Sequence, residues 1–421
     1  QSITTDGLTS ILMLNKTNSE AVAFSETLNI SYGNITFEDV NGDLKITYSD
    51  ASGQKSVTTF YEAEYRITGS SIGNYSTKSY GIKVLSTGGT TLQLVLDNVS
   101  IGKWASNGNG DTDINLPPFN IEGNSKVSPL LAGKNKISSD VSNALKYSRA
   151  AICVKEKAAL VIGGDGSLEA STGSMNQASV IGGSGWSSVS DYYVDHCGTI
   201  RIEGGDITLN AIKAGISGGY VGTGSTGAVS KYGSLTMTGG SLKINCSDNA
   251  IGVKDISITG GTIDVGDKTI YGDNSLSVAG GTIIAGNFNA GSNGSITVSG
   301  GTLFNPSGEQ TGMNKTATNG AVSVYPVTAD VSHIYGSNLD VSDIAITGVS
   351  YGFTDVKTDG NGVLHFYLPE NANTNATFKG VTYKGTVSSG NGNVLSISCN
   401  HEQYTEDGYC AACGIPQPAN W

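Results

Sequence analysis

Apolar and polar positions alternate most regularly between Leu235 and Leu303, always around a Gly-Gly pair. Four copies share the order apolar, polar, apolar, small, Gly-Gly, polar, apolar: Leu235-Thr-Met-Thr-Gly-Gly-Ser-Leu242, Ile256-Ser-Ile-Thr-Gly-Gly-Thr-Ile263, Leu276-Ser-Val-Ala-Gly-Gly-Thr-Ile283 and Ile296-Thr-Val-Ser-Gly-Gly-Thr-Leu303. Their first apolar residues, at 235, 256, 276 and 296, recur every 20 or 21 positions. That period is too short for a strand–helix–strand unit of about 30 residues. It suits one coil of a parallel β-solenoid, in which each coil must stack on the next to bury its apolar side. A further copy, Ile200-Arg-Ile-Glu-Gly-Gly205, starts 35 residues ahead of the first, which is one coil plus an insertion.

The pattern divides the chain into four stretches. Over 1–78, alternating segments such as Asn34-Ile-Thr-Phe and Leu44-Lys-Ile-Thr-Tyr flank Asn41-Gly42, a two-residue hairpin signal. An antiparallel cap over the first coil is expected there, because an open solenoid end exposes strand edges and an apolar cross-section. Over 79–320 the expected element is a parallel, right-handed β-helix. Three long excursions interrupt it: Lys103 to Pro118, Gly182 to His196, and Gly215 to Gly227. Longer alternating segments over 321–398, among them Val363-Leu-His-Phe-Tyr-Leu, suggest a small antiparallel β-sandwich, with Asp359-Gly-Asn-Gly362 as a turn. The segment 399–421 is too short to build a core of its own. The fold class expected overall is all-β.

Composition narrows the function. Glycine is abundant (59) and proline scarce (8), and charged residues make up 14% of the chain against roughly 25% in an average domain. Serine, threonine and asparagine fill the polar positions, as suits strand surfaces that stack closely. The net charge is −12 without a basic run, so nucleic acid is not an expected partner. No apolar run approaches the ~20 residues that span a bilayer. The chain opens at Gln1 with polar sequence and is expected to be a mature or trimmed exported form.

Cys153, Cys197 and Cys246 lie far apart among the coils and read as small buried apolar residues. The C-terminal group differs. Cys399-Asn-His401 followed by Cys410-Ala-Ala-Cys413 supplies three thiolates and an imidazole, the closed tetrahedral set of structural zinc. A disulfide between Cys410 and Cys413, or one involving Cys399, is the alternative. Calcium is a second candidate cofactor: Asn107, Asn109, Asp111 and Asp113 offer oxygen ligands on a loop without full EF-hand spacing, and Gly163-Gly-Asp-Gly166 is a single copy of a β-roll-like fragment. Both stretches also read as ordinary polar turns, the reading preferred here.

Three stretches carry a family likeness. Ala150-Ala-Ile-Cys-Val-Lys-Glu-Lys-Ala-Ala-Leu-Val-Ile-Gly-Gly-Asp-Gly-Ser-Leu-Glu-Ala170, with Ile181-Gly-Gly and Cys197-Gly-Thr-Ile-Arg-Ile-Glu-Gly-Gly205, resembles the repeat region of large surface proteins of anaerobic gut bacteria, labelled adhesin-like or carbohydrate-binding-domain proteins. Val356-Lys-Thr-Asp-Gly-Asn-Gly-Val-Leu-His-Phe-Tyr-Leu-Pro369 is similar to a β-module that follows those repeats, and the Cys399/His401/Cys410/Cys413 tail resembles a short element of the same proteins. Tyr65-Arg-Ile-Thr-Gly69 extends the likeness toward the N-terminus. The resemblance implies an extracellular or cell-surface β-helix with an adhesive role toward extracellular polysaccharide or host glycoprotein. It transfers no binding residue, because the family is defined by its scaffold.

Candidate contacts come from the excursions. Trp186, Tyr192 and Tyr193 could stack on sugar rings while Asp191 and Asp195 accept hydroxyl hydrogen bonds, and Trp104 occupies the earlier excursion. These rings could equally fold back onto the coils. A β-helix lyase or hydrolase is the less favoured reading: lyases need a cation beside the uronate, yet Arg66, Arg149 and Arg201 are widely spaced, and no compact carboxylate pair stands in the repeat. The expected function is non-enzymatic glycan binding through inserted loops, with a structural stalk as the alternative.

Overall fold

The computed structural model describes residues 3–5, 8–10, 26–61, 63–73, 79–105, 117–141, 149–173, 178–187, 192–194, 196–218, 220–221, 228–229, 232–291, 293–304, 317–319, 322–334, 344–346, 361–388, 392–398 and 403–411. Every regular element among them is a β-strand, and most belong to one large, mainly parallel sheet in a β-helix-like arrangement.

The parallel strands stack in three columns, here I, II and III. Column I includes Thr91–Asp97, Lys126–Ala132, Ala159–Gly164, Thr199–Ile202 and Ser234–Met237. Column II includes Ser100–Ala105, Lys134–Val141, Ser167–Thr172, Asp206–Asn210 and Ser241–Asn245. Column III includes Ile82–Val84, Phe119–Ile121, Ile152–Val154, Ile181–Gly182 and Ile216–Ser217. Beyond these, the strands run across corners: Thr269–Ile284 contributes to all three columns in turn.

Register explains the apolar repeat. In column I, Leu92, Val127, Leu160, Ile200, Leu235, Ile256, Leu276 and Ile296 follow one another coil by coil, all buried. Column III has its own inward ladder of Ile35, Ile82, Phe119, Ile152, Ile181, Ile216, Ile251, Ile270 and Phe288. With a side-chain period of two, a one-residue slip would turn a whole ladder outward, so the apolar positions hold the register. Truncating one such residue to alanine costs about 2–5 kcal/mol.

The Gly-Gly pairs form the corner between columns I and II. The second glycine has positive φ in successive coils: 76° at Gly240, 80° at Gly261 and 81° at Gly281. A β-carbon on Gly261 would lie 2.8 Å from the carbonyl oxygens of both Gly239 and Gly240. The position therefore needs glycine twice, for its left-handed backbone and for the approach of the preceding coil. This corner stays tight throughout.

Before the regular coils, Asn41 and Gly42, with φ of 58° and 88°, close the hairpin between Ile35–Val40 and Asp43–Asp50. Gly53–Thr59 adds a third antiparallel strand. Ile35–Val40 also pairs in parallel with Ile82–Val84, and Leu28–Asn29 with Tyr65–Thr68, so parallel stacking reaches back into this stretch. Past the coils, Val322–Asp330 pairs antiparallel with Val363–Pro369, and Asn371–Phe378 pairs with Val381–Val387 and Ile344–Ile346. One pairing there is parallel, Val322–Asp330 with Asn393–Ile397. This part has a separate core of Val327, Ala329, Leu364, Leu368, Phe378 and Tyr383, against which Ile284 of the coils packs.

Candidate functional site

The connections are distributed unevenly among the corners. Those from column II to column III run over 73–81, 106–118, 142–151, 173–180, 211–215, 246–250, 265–268 and 285–286, shortening toward the C-terminus after the second. Those from column III to column I are brief except at 41–64, which carries the antiparallel strands Asp43–Asp50 and Gly53–Thr59, and in two consecutive later coils, at 183–198 and 218–233. Up to Phe304, the long connections thus flank column III, on one edge or the other. The sequence shows that excursions exist; their gathering along one column follows from register.

The outward positions of column III form a second ladder: Lys83, Asn120, Cys153, Gly182, Ser217, Gly252, Tyr271 and Asn289. Its centre is built of small residues and is closed to solvent, with Asn120 1%, Cys153 0% and Ser217 2% exposed. Ser179, on the connection ahead of Ile181–Gly182, donates its hydroxyl to the carbonyls of Gly183 and Ser217 at 3.0 Å each. Ala150 N–H donates to Ser184 Oγ at 3.1 Å, tying a connection on one edge to one on the other. Asn120 Nδ2 donates to Glu122 Oε1 at 2.8 Å, while the Oδ1 atoms of Asn120 and Asn289 have no hydrogen-bond partner among the described residues. Burial pushes the Glu122 carboxyl up, but Lys155 at 2.8 Å, the Asn120 amide and the Lys155 and Lys83 charges outweigh it and hold it below its ordinary value. A ligand therefore meets the connections before it meets the column.

Two of the insertions contain antiparallel hairpins. Gly185–Ser187 pairs with Tyr192–Val194, setting Trp186 opposite Tyr193 and Ser187 opposite Tyr192. Tyr220–Val221 pairs with Ala228–Val229 in the next coil, and the two hairpins touch. Trp186, Tyr192 and Tyr193 thus share one hairpin. Trp104 does not join them: it lies in Ser100–Ala105 of column II, in register with Asp140, just ahead of the 106–118 connection. Asp191, Asp195, Asn107, Asn109, Asp111 and Asp113 lie outside the described residues, as do Cys399, His401 and Cys413.

At the feet of the hairpins is a contact that composition and spacing did not single out. His196 and Tyr232 bring their ring centroids to 4.0 Å at an interplanar angle of 46°. Tyr232 falls just past the glycine-rich excursion ending at Gly227, and His196 enters the sequence reading only as the end of the excursion from Gly182. Their shared corner is a register effect with no local signal.

Two of the coil cysteines are shielded from solvent. Cys153 and Cys197 are buried, and burial, with Cys153 nearby, pushes the Cys197 thiol up to about 12, so it stays protonated at neutral pH. Arg66 pairs with Asp97 at 2.7 Å and Arg201 with Glu203 at 2.5 Å, both on column I, whereas Arg149 is buried beside column III. In the tail, Cys410 is buried against the C-terminal core, at the end of a turn closed by hydrogen bonds between Gln403 and Ala411 and between Thr405 and Tyr409. No group of three or more His, Cys, Asp or Glu comes together for a metal among the described residues, and no helix is long and apolar enough to cross a membrane.

Comparison of the chain with protein-family models, with curated proteins and with solved structures found no match.

Proposed function

We propose that this chain is a secreted or cell-surface, adhesin-like protein that binds extracellular polysaccharide or host glycoprotein through the loops inserted along column III, without catalysing a reaction. The observation that carries the reading is the gathering of the long connections between coils on the two edges of that column, since insertions on one face of a repeat protein are often where binding occurs. Trp186, Tyr192 and Tyr193 on the first hairpin provide flat aromatic area suited to the C–H face of a sugar, and Asp191 and Asp195 of the same insertion are hydroxyl acceptors. Trp104 adjoins the longest insertion of the opposite edge. The test is a glycan array paired with an assay for uronide release from pectins. Binding without release is expected, and Trp186→Ala should weaken binding while leaving the thermal unfolding midpoint unchanged. Release of unsaturated uronides would instead mark a lyase, and neither signal a stalk.

We further propose that Cys399, His401, Cys410 and Cys413 hold one structural zinc. The turn of residues 403–411 supports this reading, since it holds Cys410 against the C-terminal core, and four such ligands make a closed site with no position for substrate. Metal analysis of protein purified without added zinc should find close to one zinc per chain. A metal-free protein with a tail disulfide would refute it.

A further inference from the structure

Beyond the aromatic residues already assigned, the stacked pair at the hairpin feet remains to be explained. His196 follows strand Tyr192–Val194 of the first hairpin, and Tyr232 follows Ala228–Val229 of the second, just ahead of Ser234–Met237. The pair bridges two coils at one corner, with 4.0 Å between ring centroids. Yet Tyr232 remains 52% exposed. A core role would bury that ring. Instead one part of the phenol is held by a neighbour while the rest stays open, giving a flat apolar surface that a ligand can use with little further loss of side-chain entropy.

The surroundings restrict what could lie on it. The rings meet at 46° and form no parallel slot for a nucleobase, and a net charge of −12 slows the approach of anionic ligands such as phosphodiesters and uronates. Of the three arginines that could hold an acidic sugar, Arg66 and Arg201 are paired with carboxylates on column I and Arg149 is buried. An uncharged ring with one C–H face and a rim of hydroxyls fits better.

We infer that Tyr232, positioned by His196, is a stacking platform for a neutral hexopyranose at the junction of the two hairpins. The inference rests on the glycan-binding reading and deepens it: the second hairpin's foot takes part, and the sugar is uncharged. The experiment uses the full chain and an array of neutral and uronate oligosaccharides, followed by titration and saturation-transfer NMR with the neutral oligosaccharide giving the strongest signal. Tyr232→Ala should weaken binding about tenfold and remove saturation transfer to the ring C–H protons, whereas Tyr232→Phe should stay within about threefold. His196→Ala should fall between them. Because Tyr232 is exposed, both of its variants should unfold at the wild-type temperature, which separates lost stacking from lost structure. If wild type binds but Tyr232→Ala binds equally well, the platform is refuted and the glycan reading stands. A wild-type preference for uronates also refutes the platform, and no binding to any glycan refutes both.

Discussion

Replacing Gly261 with alanine tests the stacking of coils at the Gly-Gly corner against a built-in control, Gly266→Ala. Both glycines have positive φ, 80° and 57°, so both variants bear the left-handed penalty of an L residue, about 1–2 kcal/mol. They differ in what the new methyl group meets. At Gly266 nothing lies within 4 Å of it, and the backbone N–H can keep its 3.0 Å hydrogen bond to Asp264 Oδ1. At Gly261 it meets Met237 Cε at 2.7 Å and the carbonyl oxygens of Gly239 and Gly240 at 2.8 Å. The methionine tip can move, but the carbonyls belong to the preceding coil. Relieving that overlap should cost a further 1–3 kcal/mol or so, giving a total of about 2–5 kcal/mol for Gly261→Ala against about 1–2 for Gly266→Ala. Stacked repeats need not unfold in one step, so urea midpoints by circular dichroism should be joined to hydrogen exchange at the Thr262 amide, bonded to Gly240 O, and the Thr282 amide, bonded to Gly261 O. Faster exchange at both in Gly261→Ala, and at neither in Gly266→Ala, is expected. Equal losses in the two variants would mean that the coils do not approach at this corner, and the reasoning would fail.

Two further outcomes follow from individual contacts. Glu122 is held below its ordinary carboxylate value in the folded chain, so it stabilises the fold above its unfolded value, near 4.3, and that contribution is lost as pH falls through the folded one; Glu122→Gln should therefore be less stable than wild type at pH 7, with the gap closing in strong acid, and a pH-independent gap would remove the Lys155 pairing as its source. In the C-terminal part, Tyr383→Phe withdraws the hydroxyl that donates to Asp330 O at 2.8 Å and should cost about 0.5–1.5 kcal/mol in that part, while hydrogen exchange in column I stays unchanged; a loss spread through the coils would show that the two cores unfold together.

The repeat was legible because column I and the corner after it are local: Leu235, Met237, Gly239, Gly240 and Leu242 sit within one short window, and alternation plus a positive-φ glycine leaves a clear mark. Asn41-Gly42 was legible for the same reason. Column III left almost none. Two of its strands, Ile181–Gly182 and Ile216–Ser217, are two residues long, and their neighbours lie a whole coil away in sequence. The common flank of the insertions depends on pairings such as Cys153 with Gly182 and Gly182 with Ser217, which no short window contains. Trp186, Tyr192 and Tyr193 drew attention by composition, whereas the meeting of His196 with Tyr232 requires the coils to be stacked first.

The most direct test of the central claim is hydrogen exchange of the full chain with and without the glycan that binds it best on the array. Amides of 183–198 and 218–233 should gain protection on binding, while the Gly-Gly corners at 238–240, 259–261 and 279–281 stay unchanged. Protection at those corners, with none in the two insertions, would place the ligand on the opposite side of the coils and contradict the account.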